Sequence, residues 1–253
     1  MNGPAPILRI ECRKLFTSPL ARTAALAVLL LATATSAGGY AAATQAPESD
    51  VGRKVTAMIT GPGWGGYLDL AALSSGTTLL LAAGIVIAWA VGREFTEGTI
   101  VGLFAIAASR ASVARAKLLA CGAWGGTLIL VQSTASVLAG VGLGLSAEGA
   151  LHAWLTMVVS GSCLLCSVLP IAWVATREQG YLAGIGATLA TLMITNLAAG
   201  FGTGGYLPWA IPTLWASLDS TVPAAALAIP LAVGLLGVWA TTRSWSRLQL
   251  GRS

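Results

Sequence analysis

The chain has 253 residues, of which 56% are hydrophobic and only 9% charged, and its mean hydropathy is +0.80. Soluble globular domains carry about 25% charged residues, so the composition excludes an ordinary soluble domain and predicts an all-α, polytopic membrane protein. The formal net charge is +5. The basic residues are dispersed around the apolar runs, which favours a topological role over a nucleic-acid surface.

The chain opens with a predicted amphipathic helix at the membrane interface, over residues 7–20. Arg9, Glu11, Arg13 and Lys14 alternate there with apolar residues, and Ser18-Pro19 predicts a break. The first apolar run, residues 21–43, ends in small residues that resemble a signal-peptidase site. It is longer than the 7–15 residues of a typical signal-peptide core, which favours a retained span.

Five more apolar runs follow. A bilayer core of about 30 Å needs roughly 20 residues per helix, so the sequence predicts six spans in one membrane domain covering residues 1–253. The spans are predicted at residues 21–43, 70–92, 118–145, 153–175, 180–200 and 223–241.

The segments between these runs carry further predictions. Residues 45–70 read as a loop of mixed charge, and Pro170 predicts a kink in the fourth span. Gly180 and Gly184 have the small-xxx-small spacing that lets helices approach closely. Residues 201–222 are too broken to span and too apolar for a free loop, so we expect them in the outer interface.

Charge asymmetry predicts the orientation. With a cytoplasmic N-terminus, twelve basic residues lie inside and only Arg53 and Lys54 lie outside. The inner set is Arg9, Arg13, Lys14, Arg22, Arg93, Arg110, Arg115, Lys117, Arg177, Arg243, Arg247 and Arg252.

The polar residues of the spans disfavour several chemistries. No ionisable residue lies in the middle of a span, which argues against an ion-coupled transporter, and the chain has no G-x-x-x-x-G-K-[ST] motif for ATP. No catalytic constellation is evident, and Cys163 and Cys166 read as buried apolar residues more readily than as metal ligands. Two amide side chains lie within spans, those of Gln132 and Asn196. We interpret them as interhelical hydrogen-bonding groups more readily than as the lining of a substrate path.

The stretch from Arg93 to Lys117 concentrates the charges of the middle of the chain. Glu94 and Glu97 are three residues apart and share a helical face, while Arg93 and Glu97 can pair. Gly98 predicts either a bend or a helix with a close contact. From the residues alone, a partner-docking segment and a solvated loop remain equally open.

This stretch resembles a known family. Arg93-Glu94-Phe95-Thr96-Glu97-Gly98-Thr99-Ile100, followed by Ser109-Arg110 and Ala116-Lys117, resembles the E-x-x-x-G-T … S-R … K pattern between the second and third spans of ABC-2 type transporter permeases. Residues 8–15 are similar to the family's entry helix, and residues 206–212 to its outer segment. Ala107-Ala108 stands where relatives often carry proline.

The resemblance implies a permease of an ABC exporter in the plasma membrane. Two separate ATPase subunits would bind ATP and Mg²⁺, this chain would bind no cofactor or metal itself, and two permeases would form a homodimer or heterodimer. Matching positions imply that Glu94 and Glu97 contact the ATPase, that Phe95 is an anchor, and that the remaining coupling residues are Arg93, Gly98, Thr99, Arg110 and Lys117.

The large uncharged interior favours a hydrophobic or amphiphilic substrate, such as a drug, an antibiotic, a bacteriocin-like peptide or a lipid. One alternative is a non-transporting membrane scaffold, as an immunity or sensory subunit would be. Another is an intramembrane hydrolase that uses Ser162 or Cys163.

Overall fold

A computed structural model describes residues 4–104, 109–217 and 222–248, and these residues form α-helices without any strand. The helices are α1 (Pro4–Thr17), α2 (Pro19–Gln45), α3 (Asp50–Thr56), α4 (Trp64–Thr96), α5 (Arg110–Gly142), α6 (Ala147–Val168), α7 (Pro170–Arg177), α8 (Tyr181–Gly200), α9 (Ile211–Ala216) and α10 (Ala228–Ser246). The predicted all-α class is confirmed. Ala107-Ala108 and Arg252 lie outside the described residues.

Six helical segments of the described chain are long and apolar enough to cross a bilayer, as predicted. They are Pro19–Gln45, Trp64–Thr96, Arg110–Gly142, Ala147–Arg177, Tyr181–Gly200 and Ala224–Ser246. The shortest has 20 residues, or about 30 Å at 1.5 Å per residue. The structure therefore has the helices of a multi-pass membrane protein.

The predicted break between the first two helices is present. Ser18 caps α2 by accepting a 3.1 Å hydrogen bond from the amide of Ala21, and Pro19 occupies the first helical position. A capping hydroxyl and an N-terminal proline both favour a helix start. As a result α1 turns away from α2 and packs along α5, with Leu15 buried in the core.

The prediction of a loop over residues 45–70 is wrong. Ser49 caps the short helix α3 by accepting a hydrogen bond from the amide of Gly52, and α4 begins at Trp64, six residues before the predicted span. Hydropathy missed α3, which the Ser49 cap stabilises, and the first turns of α4, because the polar residues and glycines of both segments lower the average hydropathy. Residues 46–49 and the connection over residues 57–63, with Gly61 and Gly63 at positive φ, remain irregular.

The predicted kink in the fourth span is confirmed as a helix break. α6 ends at Val168 and α7 begins at Pro170, because proline lacks the amide that would continue the ladder. α10 packs closely against this break: a Cβ added at Gly237 would lie 2.6 Å from the nitrogen of Pro170.

Part of the segment predicted for the outer interface, residues 201–222, packs inside the helix bundle as α9. Ile211, Pro212 and Ala216 are buried against α4 and α6. Ser160 of α6 donates a 2.7 Å hydrogen bond to the carbonyl of Pro212, and the indole of Trp209 donates to the carbonyl of Ser167 at 2.9 Å. These backbone acceptors draw the segment into the bundle, and hydropathy does not report them.

α4 is the central helix and packs against α2, α5, α6, α7 and α8. Its ends define two ends of the bundle. At one end, here called the basic end, the last turns of α4, α7 and α10 lie beside the first turns of α5 and α8. Three contacts show this: Phe95 packs on Trp245, the indole of Trp245 donates to Thr176, and Gly92 lies against the backbone of Tyr181.

The predicted small-residue contact of α8 is confirmed at Gly184, which faces Ala88 of α4. A Cβ added there would lie 2.6 Å from the Ala88 side chain, whereas one added at Gly186 meets nothing within 4 Å. Overpacking a close contact costs about 1–3 kcal/mol.

We therefore expect Gly184→Leu to lower the apparent Tm of the detergent-solubilised protein by several degrees. Gly186→Leu, two residues away on the open side of the same helix, is the matched control and should leave Tm almost unchanged. Equal effects of the two substitutions would contradict the α4–α8 packing.

Candidate functional site: a buried ion cluster at the basic end

Lys117 lies at the centre of a buried ion cluster. Its Nζ donates to Glu11 Oε2 at 2.8 Å, to Glu94 Oε1 at 2.8 Å and to the carbonyl of Ala90 at 3.2 Å. These three acceptors satisfy all three protons of the ammonium group. We call Glu11, Lys14, Glu94, Thr99 and Lys117 the Lys117 cluster.

Three helices supply the cluster. Glu11 and Lys14 are three residues apart on α1, so they project from one face, and their side chains pair at 3.1 Å. Glu94 comes from the last turn of α4, and Lys117 from the second turn of α5. The cluster is thus formed by residues that are up to 106 positions apart.

The charges of the cluster balance. The two carboxylates of Glu11 and Glu94 face the ammonium groups of Lys117 and Lys14, and Lys14 Nζ also lies 3.8 Å from Glu94 Oε1. Glu94 and Lys117 are only 4% and 2% exposed. Removing one member would leave an uncompensated charge in a site of low polarity, so the cluster fixes α1, α4 and α5 together.

The other oxygen of Glu94 holds the turn that follows α4. Thr99 donates a 2.6 Å hydrogen bond to Glu94 Oε2. Gly98 has φ +69, a left-handed conformation that favours glycine, and follows Glu97, the C-cap of α4. Of the two predicted alternatives at Gly98, the structure has the bend, with nothing within 4 Å of an added Cβ. We call residues 96–99 the coupling turn.

The two predicted acidic contacts occupy different environments. Glu97 is exposed on the coupling turn, but Glu94 is buried and ion-paired within the chain. The expectation that the two share an accessible face is wrong because the helix ends between them. Lys117, expected as an exposed flanking charge, is also buried, because it neutralises Glu94.

The neighbouring predicted residues pack within the chain. The guanidinium of Arg93 lies 4.6 Å from the centroid of the Trp89 ring, and no ion pair joins it to Glu97, so that predicted pair is absent. Phe95, expected to anchor the membrane boundary, packs edge-on against Trp245 with centroids 5.7 Å apart. Arg110 donates to the carbonyl of Leu248, which ties the start of α5 to the end of the described chain.

The two residues predicted as candidates for a substrate path, Gln132 and Asn196, differ in burial and in hydrogen bonding. Gln132 is buried and donates to Ser136 at 3.0 Å and to Thr33 of α2 at 3.3 Å, which is the interhelical bonding predicted for it. Its Oε1 has no hydrogen-bond partner among the described residues. Asn196 is exposed on α8, the span with the smallest buried share, and donates to the carbonyl of Leu192.

Gln132 also lines a small cavity between α2, α4, α5 and α6, with Ala216 of α9 at its edge. The cavity measures about 30 Å³ and its lining is mostly apolar. Ligand sites are typically about 300–1,000 Å³, so this conformation has no room there for a drug-sized molecule.

Sequence reasoning missed Glu11 and Lys14 as site residues. Both lie on the predicted interfacial helix, where their charges read as solvated. A signal was present, since Glu11 is the one acidic residue among the basic residues of α1. Its partner Lys117 lies on a different helix, and no local pattern connects them.

The chain matches a known protein family. The sequence profile of a family described as ABC-2 family transporter protein matches residues 7–195, which include the whole Lys117 cluster. No curated protein matches the chain significantly.

The energetic role of the cluster is testable by substitution. Lys117→Met leaves two buried carboxylates without their main partner, and breaking a buried pair in this way costs about 3–5 kcal/mol. Adding Glu94→Gln should recover part of this loss, with a coupling of about 0.5–3 kcal/mol.

Unfolding of the detergent-solubilised protein measures both values. Arg115→Met is the matched control, because Arg115 lies on the same helix and is exposed, and we expect a change within about 0.5 kcal/mol. Additive losses in the double variant would show that Lys117 and Glu94 do not stabilise each other.

Proposed function

Because the chain belongs to the ABC-2 transporter family, whose membrane components work with ABC ATPase subunits, we propose that it is the permease of an ATP-driven exporter. Two separate ATPase subunits hydrolyse ATP with Mg²⁺ and drive this chain between conformations. The substrate is a hydrophobic or amphiphilic compound. The basic end faces the cytoplasm, in agreement with the charge asymmetry of the sequence.

The observation that carries the proposal is the link between the coupling turn and the Lys117 cluster. The turn exposes Glu97, Gly98 and Thr99 to a partner, and through Thr99 it is bonded to the buried carboxylate of Glu94. A partner that moves the turn therefore moves a group that also holds α5 and α1. A permease that has no nucleotide-binding motif of its own needs such a connection to receive energy from a separate ATPase.

Within this arrangement we assign the roles of the coupling residues as follows. Glu97 contacts the ATPase, Gly98 shapes the turn, and Thr99 joins it to the cluster. Glu94 and Lys117 act inside the chain as positioning residues, because their side chains are not accessible to a partner. Arg93 and Phe95 hold the end of α4 against Trp89 and Trp245.

The substrate class follows from the interior. The cavity at Gln132 combines an apolar lining with two buried polar atoms, Gln132 Oε1 and Ser75 Oγ, that have no hydrogen-bond partner among the described residues. An amphiphile with one polar group matches this mixture when α9 or a neighbouring helix moves away. Movement of α9 breaks the hydrogen bond from Ser160 to Pro212.

A second permease chain is part of the proposal. Asn196 is exposed on α8 between apolar neighbours such as Met193 and Leu197, which are 65% and 59% exposed. An amide that faces lipid is costly, whereas one that faces another helix can form interhelical hydrogen bonds. We assign the outward face of α8 to the contact between the two permeases, in a homodimer or a heterodimer.

Charge reversal at the coupling turn tests the energy input. We expect Glu97→Lys to reduce both association with the ATPase that co-purifies from the native membrane and its stimulation in proteoliposomes by about tenfold. The Tm of the permease should not change, because Glu97 makes no ion pair in the described chain.

Glu178→Lys is the matched control. Glu178 is exposed at the basic end, in the short turn between α7 and α8, and its reversal should leave association intact. If Glu178→Lys abolished association and Glu97→Lys did not, the ATPase contact would have to be assigned to the turn between α7 and α8 instead. A wild-type protein that neither binds an ATPase nor transports substrate would favour the scaffold function instead.

Cross-linking tests the contact between permeases. In a variant without the four native cysteines, Asn196→Cys should form a covalent dimer with a short bifunctional thiol reagent in native membranes. Leu138→Cys is the control, because Leu138 is 66% exposed on α5, away from α8. Equal cross-linking at both positions, or none at Asn196→Cys, would contradict a homodimer through α8.

A further inference from the structure

A second charged feature lies at the basic end, between α7 and α10. It is a recess of about 400 Å³, within the size range of ligand sites. We call it the arginine recess and define it by Trp173, Thr176, Arg177, Trp239, Arg243 and Arg247. The coupling turn and the Lys117 cluster contribute no residue to it.

The recess is strongly cationic. Arg177, Arg243 and Arg247 are exposed, and in the part of the chain that the structure describes no carboxylate lies within ion-pair distance of any of them. Glu178 follows Arg177 in the chain, but its side chain is exposed in the turn between α7 and α8. Cations are favoured at helix C-termini, which accounts for an arginine at the end of each helix. It does not account for the two tryptophans or for the open volume.

One face of α10 changes in character along its length. Leu235, Trp239, Arg243 and Arg247 are spaced by four residues and so form one stripe. Leu235 and Trp239 are 72% and 60% exposed, and the guanidinium of Arg243 lies 5.4 Å from the centroid of the Trp239 ring. The stripe passes from aliphatic to aromatic to cationic over about 18 Å, at 1.5 Å per residue.

We propose that the arginine recess binds the phosphate headgroup of an anionic phospholipid from the same leaflet. The three guanidiniums hold the phosphate, Trp239 and Trp173 lie at the level of the glycerol, and the acyl chains run along Leu235 and Leu236. Arginine matches phosphate through paired N–H donors, and basic pockets between membrane helices are suited to anionic headgroups.

The apolar part of the stripe selects lipid over soluble phosphate. A free phosphate needs only the guanidiniums, whereas Leu235, Leu236 and Trp239 form an exposed apolar surface that continues directly into the recess. This inference concerns a bound lipid outside the proposed coupling site. It does not depend on ATPase binding or transport.

Native mass spectrometry of the full chain in neutral detergent tests the proposal. Phosphatidylglycerol and phosphatidylcholine with identical acyl chains are titrated separately. We expect the wild-type protein to bind phosphatidylglycerol at least tenfold more tightly. The triple variant Arg177→Gln, Arg243→Gln and Arg247→Gln should lose this preference, and the single variant Arg243→Gln should lose severalfold in affinity if the triple variant does not fold.

The matched control neutralises three other exposed arginines of α1 and α5, through Arg9→Gln, Arg13→Gln and Arg115→Gln. It should retain the preference within about twofold. Trp239→Ala should weaken binding of phosphatidylglycerol, and millimolar inorganic phosphate should not displace it.

Three results of these titrations would overturn the proposal. These are equal binding of the two lipids by the wild-type protein, equal loss in the control variant, and displacement of the lipid by inorganic phosphate with no effect of Trp239→Ala. The last would identify a soluble-anion site. Association of a purified acidic protein that competes with phosphatidylglycerol at the recess would also overturn it and assign the surface to protein docking.

Discussion

The arrangement of the basic end depends on the placement of one ammonium group between two carboxylates. Lys117 lies 2.8 Å from both Glu11 and Glu94, and Lys14 pairs with the other oxygen of Glu11 at 3.1 Å. The cost of burying these charges is offset only if all of them remain together. The requirement for mutual neutralisation therefore fixes three helices that share no sequence motif, and it limits how far any one of them can move alone.

This constraint has a mechanical consequence for the coupling turn. Thr99 bonds the same carboxylate that Lys117 neutralises, so the exposed turn and the buried charges form one hydrogen-bonded unit. Bending at Gly98 is easy, because the residue is unobstructed and already left-handed. Displacement beyond that bend has to carry Glu94 with it. In the proposed coupling, a movement at the surface is passed to α5 and α1 through this carboxylate, because separating the buried charges is costly.

The comparison of sequence and structure separates local from non-local information. Hydropathy predicted all six spanning helices, and Ser18, Pro19 and Pro170 predicted their breaks, because each signal acts within one helical turn. The burial of Glu94 could not be predicted, for the opposite reason. Its burial depends on Lys117, which lies 23 residues away, and on the position of α1, so a charge that reads as exposed is in fact internal. The packing of α9 inside the bundle was equally unpredictable, because its backbone is bonded by Ser160, on another helix.

The buried side chain of Trp245 connects the two surfaces of the basic end to which we have assigned functions. It packs edge-on against Phe95 at the end of α4, and its indole donates a 3.0 Å hydrogen bond to Thr176, which lines the arginine recess beside Arg177. Trp245 is 0% exposed, so it cannot relax into solvent when either neighbour moves. A lipid that holds α7 and α10 together at the recess would restrain Trp245, and through Phe95 it would restrain the end of α4. Lipid binding and movement of the coupling turn would then be energetically linked through one packed aromatic pair, and the link requires no contact between the lipid and the turn.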